Sequence, residues 1–364
     1  MKIKLNSNSY ITEKMYRNLK ERLSYSTLKI YNKDRKKFYN EIILGNKKED
    51  EEQSYSLVLG SLVHCLLAGK KDDFDNRYHI LEAIEPGGQV KELADTLFVR
   101  YCKTLYDDIQ KDEFSVIFND AFNIVKYEAD GKTEKAFKNK TVEKALELFE
   151  KTGKAYFEEK LKCIGKECIT PYTITQAEEI VKKVKNHKYT NHIFTVEDNV
   201  EVFSELPILF TLYGLEFKSM VDRLHVDHTN KTITPYDWKT AWDMDNPIRV
   251  YLKMSYYLQA GLYALAVIEW QKQHPELQDY DIKAMKFVFI DPKNFVDPVV
   301  LELLWEDVYN ALHGFTIGNY SYEGVVDIVK SIKWHIDNAT WTTTKELDAN
   351  NGVIYAKLNY TTNG

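Results

Sequence analysis

The sequence predicts an α/β fold carrying a helical insertion, and three observations predict it. From residue 196 onward the chain turns strand-like, through Val200, Val202 and Phe203, then 207–210, 216–226 and 232–239. A long helical pattern over 251–272 stops before Pro275, and another strand-like run, 283–290, follows and is closed by Asp291-Pro292. Between 85 and 195 the texture differs. That stretch is Lys/Glu-rich, with apolar residues at helical spacing such as Val142, Ala145, Leu146 and Phe149, then Ala177, Ile180, Val181 and Val184.

Taken from the N-terminus, residues 9–45 read as helical, with Ser24 and Ser26 as caps before Leu28, Ile30 and Tyr31. Residues 46–54 are charged and read as a loop. Residues 56–70 form a second helix whose apolar face is Leu59, Leu62, Val63, Leu66 and Leu67. Pro86-Gly87-Gly88 punctuates the entry to the insertion. Beyond the last strand, 298–314 contains a helix, and the Thr-rich stretch near Thr340 reads as a short strand. The resulting division is an N-terminal helical part, 1–84; the insertion, 85–195; a catalytic sheet with its helix, 196–300; and a C-terminal helix and tail, 301–364.

Composition sets limits on function. With 44% hydrophobic and 13% aromatic residues the chain can build a sizeable core, which excludes wholesale disorder. Its net charge of −6 removes any general basic attraction for nucleic acid, so binding of that kind needs a local basic stripe. Candidates for such a stripe are Lys33, Arg35, Lys36, Lys37, Lys218, Arg223 and Lys253; each, taken singly, reads better as solvated surface. Cys65, Cys102, Cys163 and Cys168 lack zinc-type spacing and read as reduced thiols of a cytoplasmic protein. The opening MKIKLNSNSYITEKMY has no apolar leader core, and the longest apolar stretch, 261–270, is broken by Glu269. A soluble intracellular protein without membrane partners is expected.

The densest chemistry lies at 221–240, VDRLHVDHTNKTITPYDWKT. A hairpin turn centred on Thr229-Asn230 puts Asp222 directly across from Asp237, with Cβ atoms about 4.5–5.5 Å apart. Asn230 suits the positive φ of a tight turn. Strand alternation then sets Asp237 and Lys239 on one face. Facing carboxylates repel each other, and a divalent cation relieves this by taking oxygens from both. The adjacent lysine would hold a water beside that cation or help deprotonate it, the layout of metal-assisted phosphodiester hydrolysis. Taken alone, Asp-x-Lys in a strand also describes a surface ion pair. Glu205, ahead of Pro207, offers a third carboxylate or a surface glutamate. Gly60 and His64 lie one helical turn apart, so the glycine allows close approach and the histidine can reach a metal or fill a core position. Gln259 and Tyr263 repeat that spacing with polar tips suited to phosphate or base contact, or to a half-buried polar stripe.

In order, G-S-L-V-H at 60–64, E-L-P at 205–207, F-K-S-M-V-D-R-L at 217–224, P-Y-D-W-K-T at 235–240 and Q-A-G-L-Y at 259–263 resemble the RecB-like branch of the PD-(D/E)XK nucleases. The K-x-x-x-D-R-L and D-W-K-T pieces are most similar to the exonuclease VIII (RecE) group of phages and prophages, as is the opening Leu23-Ser24-Tyr25-Ser26 with Phe38-Tyr39. The resemblance covers about 20–80 and 196–300. It implies a restriction-endonuclease-like core, a central mixed sheet flanked by helices. It implies Mg²⁺ or Mn²⁺ held by Asp222, Asp237 and the Trp238 carbonyl, with His64 completing or adjoining the site and Glu205 the least firmly assigned. Lys239 would position the attacking water, while Gln259 and Tyr263 would support the site and touch the substrate backbone. The cysteines do not match the iron–sulfur ligands of some relatives, so no cluster is expected. The partners implied are duplex DNA with a free end, further copies of the chain in a closed ring, and a single-strand annealing protein, in the cytoplasm of a bacterium or a phage-infected host. An endonuclease or nickase, or an inactive DNA-binding assembly protein on the same scaffold, are the alternatives.

Overall fold

The computed structural model describes residues 13–46, 54–106, 114–128, 131–195 and 197–353. The loop read over 46–54 therefore falls almost wholly outside the described residues. The chain divides into two compact units, one of Met1–Gly69 with Ile180–Gly364 and one of Lys70–Glu179.

The first unit is built on a central mixed sheet flanked by helices, as the sequence predicts. Its strands are β1 (Val200–Leu212), β2 (Leu215–Asp227), β3 (Thr232–Thr240), β4 (Asp281–Ile282), β5 (Lys286–Ile290) and β6 (Val299–Glu302). Their order is β1-β2-β3-β5-β6, with the short β4 also on β3. The β1–β2, β2–β3 and β5–β6 pairs are antiparallel and β3–β5 is parallel. A parallel pair needs a crossover. Here the helix α3 (Tyr256–Lys272) lies in that crossover, and its Leu258, Leu262, Ala266 and Val267 are fully buried in the core with Leu224, Phe287 and Phe289. Earlier in the chain, α1 (Tyr25–Lys33) buries Leu28 and Tyr31, and α2 (Tyr55–Ala68) buries Leu59, Leu62 and Val63. Among the described residues no helix is long and apolar enough to cross a membrane.

The β2–β3 register is the one expected, with Asp227 across from Thr232 and Arg223 across from Tyr236. Its turn is made differently. Lys231, not Asn230, takes the left-handed conformation, at φ 49°. The Asp227 carboxylate accepts the Thr229 and Asn230 N–H groups at 2.9 and 3.0 Å and the Asn230 side-chain amide at 2.7 Å. An aspartate that satisfies three donors stabilises the turn without requiring positive φ at the asparagine.

Other departures have similar local causes. The helix expected over 251–272 is two helices, Pro247–Lys253 and α3, because Ser255 adopts a left-handed conformation at φ 58°. The helical reading of 9–45 breaks into short segments, with Asp34 leaving the helical region at φ −157° and accepting the Lys37 N–H at 2.9 Å. No strand forms near Thr340. Thr344 instead caps a short helix, Lys345–Ala349.

The second unit packs Gly88–Tyr106, Phe114–Lys126, Val142–Leu148 and Lys154–Lys162 around Leu93, Leu97, Phe118, Phe122, Phe149 and Phe157. Tyr78–Ile80 and Glu167–Ile169 pair in parallel beside them. Cys163 and Cys168 are joined in a disulfide, which corrects the reading of reduced thiols. A turn with Gly165 at φ 80° brings the two Cα atoms to 5.6 Å, within bonding reach.

One contact fixes how α2 meets the sheet. A Cβ built on Gly60 would lie 2.8 Å from Thr240 Oγ1, so only glycine lets the helix come this close. We predict that Gly60→Ala lowers stability by about 1 kcal/mol or more through overpacking. In a Thr240→Ala background the same substitution should stabilise by up to about 1 kcal/mol, since alanine is the better helix former. Equal effects in both backgrounds, read by thermal melts, would contradict this account of the contact.

Candidate active site

The site grows from a defect in the β1–β2 ladder. Between Val200 and Leu212 every residue of β1 pairs with β2 except Glu205, whose register position faces Asp222. Glu205 has φ 46°, a conformation uncommon for a residue with a side chain and costly to hold. Core alternation shifts by one residue there. Phe203 packs against Trp270 on one side of the defect, while Leu206, Ile208 and Phe210 join the core from the other. The β2–β3 ladder also ends at Arg223–Tyr236. Freed of a ladder partner, Asp222 turns its carboxylate to β3, where Oδ2 accepts the Trp238 N–H at 2.9 Å.

Helices supply the rest. One turn beyond Gly60, His64 places Nδ1 3.3 Å from Asp222 Oδ2. From α3, Gln259 Nε2 donates to Asp237 Oδ1 at 2.5 Å. Asp237 and Lys239 share a face of β3 and form an ion pair. The Lys239 ammonium also stands 4.9 Å from the Tyr256 ring centroid. Trp238 points the other way and stacks on Phe194 at 5.4 Å. Asp222, Asp237, Lys239, His64 and Gln259 are thus brought into one network, with Glu205 in register beside it. Tyr263 is 8% exposed, and burial holds its hydroxyl well above the usual phenol range. Gln259, 3% exposed, spends its Nε2 on Asp237.

The electrostatics drive the two aspartates apart. Burial pushes the Asp237 carboxyl up to about 6, with the Lys239 ammonium opposing and the Asp222 carboxylate reinforcing the rise. At Asp222 burial is outweighed by His64, Lys239 and the Trp238 N–H, which hold it below the usual carboxylate range. Lys239 stays protonated, because burial is outweighed by Asp237 and Asp222. A lysine held in its charged form can hold a water or a phosphate oxygen.

Sequence reasoning missed a second cation. Lys29 places its ammonium 5.9 Å from the Tyr25 ring centroid and 6.0 Å from that of Tyr256, the ring Lys239 also faces. Burial lowers the Lys29 pKa, and the neighbouring Lys239 lowers it further. The signal was the Tyr25–Lys29 spacing of one helical turn, which puts both on a single face of α1. Of the cations expected to meet DNA, Arg35 and Lys218 donate to the Thr343 and Tyr16 carbonyls, and Lys37 pairs with Glu41 at 3.6 Å. Lys33, Lys36 and Lys253 are exposed.

A family model of the PD-(D/E)XK nuclease superfamily matches residues 22–307, a span that contains every residue of this network. The chain belongs to the PD-(D/E)XK nuclease superfamily. No curated protein matches it. Membership implies a hydrolytic nuclease acting on DNA, in a superfamily whose members generally use Mg²⁺ or Mn²⁺.

The donors of this PD-(D/E)XK nuclease fit such a cation. Asp237 is buried, with Oδ1 accepting from the Gln259 amide and Oδ2 facing the Lys239 ammonium. Two carboxylates, Asp237 buried and Asp222 half-buried, offer oxygen donors beside one lysine ammonium. Among the described residues no three His, Cys, Asp or Glu side chains converge as a metal site. A cation here would therefore rest on Asp222, Asp237, backbone carbonyl and water, a sparse oxygen shell of the kind magnesium takes. Once held, it would supply Lewis-acid polarisation of a phosphoryl oxygen and a lowered pKa for bound water.

The raised Asp237 value sets the pH dependence. Below about 6 that carboxyl holds a proton which a cation must displace, and above it the carboxylate is free to ligate. Excess Mn²⁺ should therefore raise the melting temperature at alkaline pH, with the rise fading below about pH 6. Asp237→Asn should abolish it. A stabilisation independent of pH across that range, or kept by the variant, would contradict the assignment.

Proposed function

We propose that this protein is a Mg²⁺- or Mn²⁺-dependent deoxyribonuclease of the RecB-like branch, acting from the ends of duplex DNA. The observation that carries the reading is the pair Asp222 and Asp237, set against each other where β2 and β3 separate, with Lys239 charged beside them. Asp222, Asp237 and the Trp238 carbonyl hold the cation. His64 orients Asp222, Gln259 fixes Asp237, and Tyr263 braces β2. Glu205, whose register position faces Asp222, is the third carboxylate of this reading. Lys239 places positive charge where negative charge grows on the phosphate, and Lys29 adds a second positive charge nearby.

The preference for ends rests on the resemblance of 217–224 and 235–240 to the exonuclease VIII group. With it come a closed-ring homo-oligomer, a single-strand annealing partner and a recombination role in bacterial or phage-infected cytoplasm. An endonuclease of the same fold is separated by topology of the substrate. Linear duplex should be degraded in Mg²⁺, and covalently closed circles should survive. Cutting of closed circles would reject the exonuclease.

Substitutions should grade by role. Asp237→Ala should remove metal-dependent cleavage, and Lys239→Ala should cost about 10²–10³-fold in kcat. His64→Ala and Gln259→Ala, which act through the carboxylates, should cost about 10–100-fold. Wild-type protein without metal-dependent cleavage, or an Asp237→Ala variant that cleaves equally well, would overturn the function.

A further inference from the structure

On the reverse face of the same strands, two cations meet without a counter-charge. The Arg223 guanidinium carbon lies 5.2 Å from the Phe194 ring centroid, and the Lys185 ammonium lies 5.9 Å from the same ring. Phe194 is stacked on Trp238, which sits between Asp237 and Lys239 in β3, and Arg223 directly follows Asp222 in β2. The place is thus one residue removed from each carboxylate.

Arg223 and Lys185 are both half-buried, and no acidic residue among those described pairs with either. Their surroundings offer no relief. His225, which accepts the Arg223 Nε–H through Nε2 at 2.9 Å, is held neutral, its pKa lowered to about 4 by burial and then by Arg223 itself. Across the ladder from Arg223 stands Tyr236, a neutral side chain. Lys185 spends one donor on the Leu66 carbonyl, at 3.5 Å.

Uncompensated cations in a partly dry site are costly, and an anion that reaches both removes the cost. With Nε committed to His225, the two terminal nitrogens of Arg223 remain as a planar fork, the geometry that takes two oxygens of a phosphate, and the ammonium can take a third. We propose that Arg223 and Lys185, on the Phe194 ring, form a phosphate-binding subsite separate from the scissile position. Two sources share this chemistry, a backbone phosphate of bound DNA and a free phosphate ion or nucleotide. The proposal rests on the nuclease reading only in naming DNA as one source.

The test compares wild type with Lys185→Ala, Arg223→Ala and Arg223→Lys, in EDTA so that no cleavage occurs. Affinity for a short labelled duplex is followed against salt by fluorescence anisotropy, and melting temperature is followed against inorganic phosphate. Each alanine variant should lower the log–log salt slope by about 1. Inorganic phosphate should stabilise wild type and leave the alanine variants unmoved, with Arg223→Lys intermediate because it loses the fork. Phosphate stabilisation with unchanged slopes would support the subsite and assign it to a free ligand. Unchanged slopes together with no phosphate response would overturn it. Cleavage of linear duplex by wild type in Mg²⁺, measured in parallel, keeps the two readings apart. Cleavage with unchanged slopes and no phosphate response sinks the subsite alone, and reduced slopes without cleavage sink the nuclease alone. Should Arg223→Ala lose its fold along with its packing on Phe194, the Lys185→Ala result decides.

Discussion

The repulsion between two carboxylates, one buried and one half-buried, organises this molecule. Asp222 and Asp237 occupy facing register positions where the β2–β3 ladder has just ended, and the protein treats them unequally. One is held ionised by His64, Lys239 and a backbone N–H, and the other is driven toward its protonated form by burial. Environments that push two like groups apart are characteristic of working acid–base and metal sites. A purely structural pair would gain nothing from the arrangement. Replacing it with apolar residues of similar volume would relieve the desolvation of both.

Much of the surrounding architecture serves to hold that unfavourable pair in place. The left-handed Glu205 interrupts the β1–β2 ladder opposite Asp222, and that interruption frees the aspartate to lean on Trp238. Gly60 lets α2 approach Thr240 closely enough for His64 to reach the same carboxylate one turn later. The break at Ser255 ends one helix and starts another, so that Tyr256 and Gln259 present to Lys239 and Asp237. Each device costs local stability, in positive φ, in close packing or in a helix interruption. The large apolar core under α3 offsets those costs.

The sheet, its register and most of the network were legible in the sequence, for reasons that can be traced to residues. Strand alternation is rigid, so the spacing of Asp237 and Lys239 places both on one face. A short polar turn between two apolar runs sets the hairpin register, and that register held although Lys231 rather than Asn230 took the positive φ. Helical spacing likewise paired Gly60 with His64. What stayed hidden depends on contacts between distant segments. Tyr263 carries a polar tip but is buried in the core, which spacing along α3 does not reveal. Lys29 acquires meaning only when Tyr256 arrives beside it, and Lys185 only when Phe194 and Arg223 do. The Cys163–Cys168 bond was missed because compositional reasoning about compartments outweighed the short turn that brings the two together.

The central claim is that both aspartates ligate one cation, and the most direct measurement is anomalous scattering from crystals soaked in Mn²⁺. The account predicts a single strong peak bonded to carboxylate oxygens of Asp222 and Asp237, within reach of the Trp238 carbonyl. Density absent from that position, or side chains found on opposite sides of the sheet with no ion between them, would contradict it.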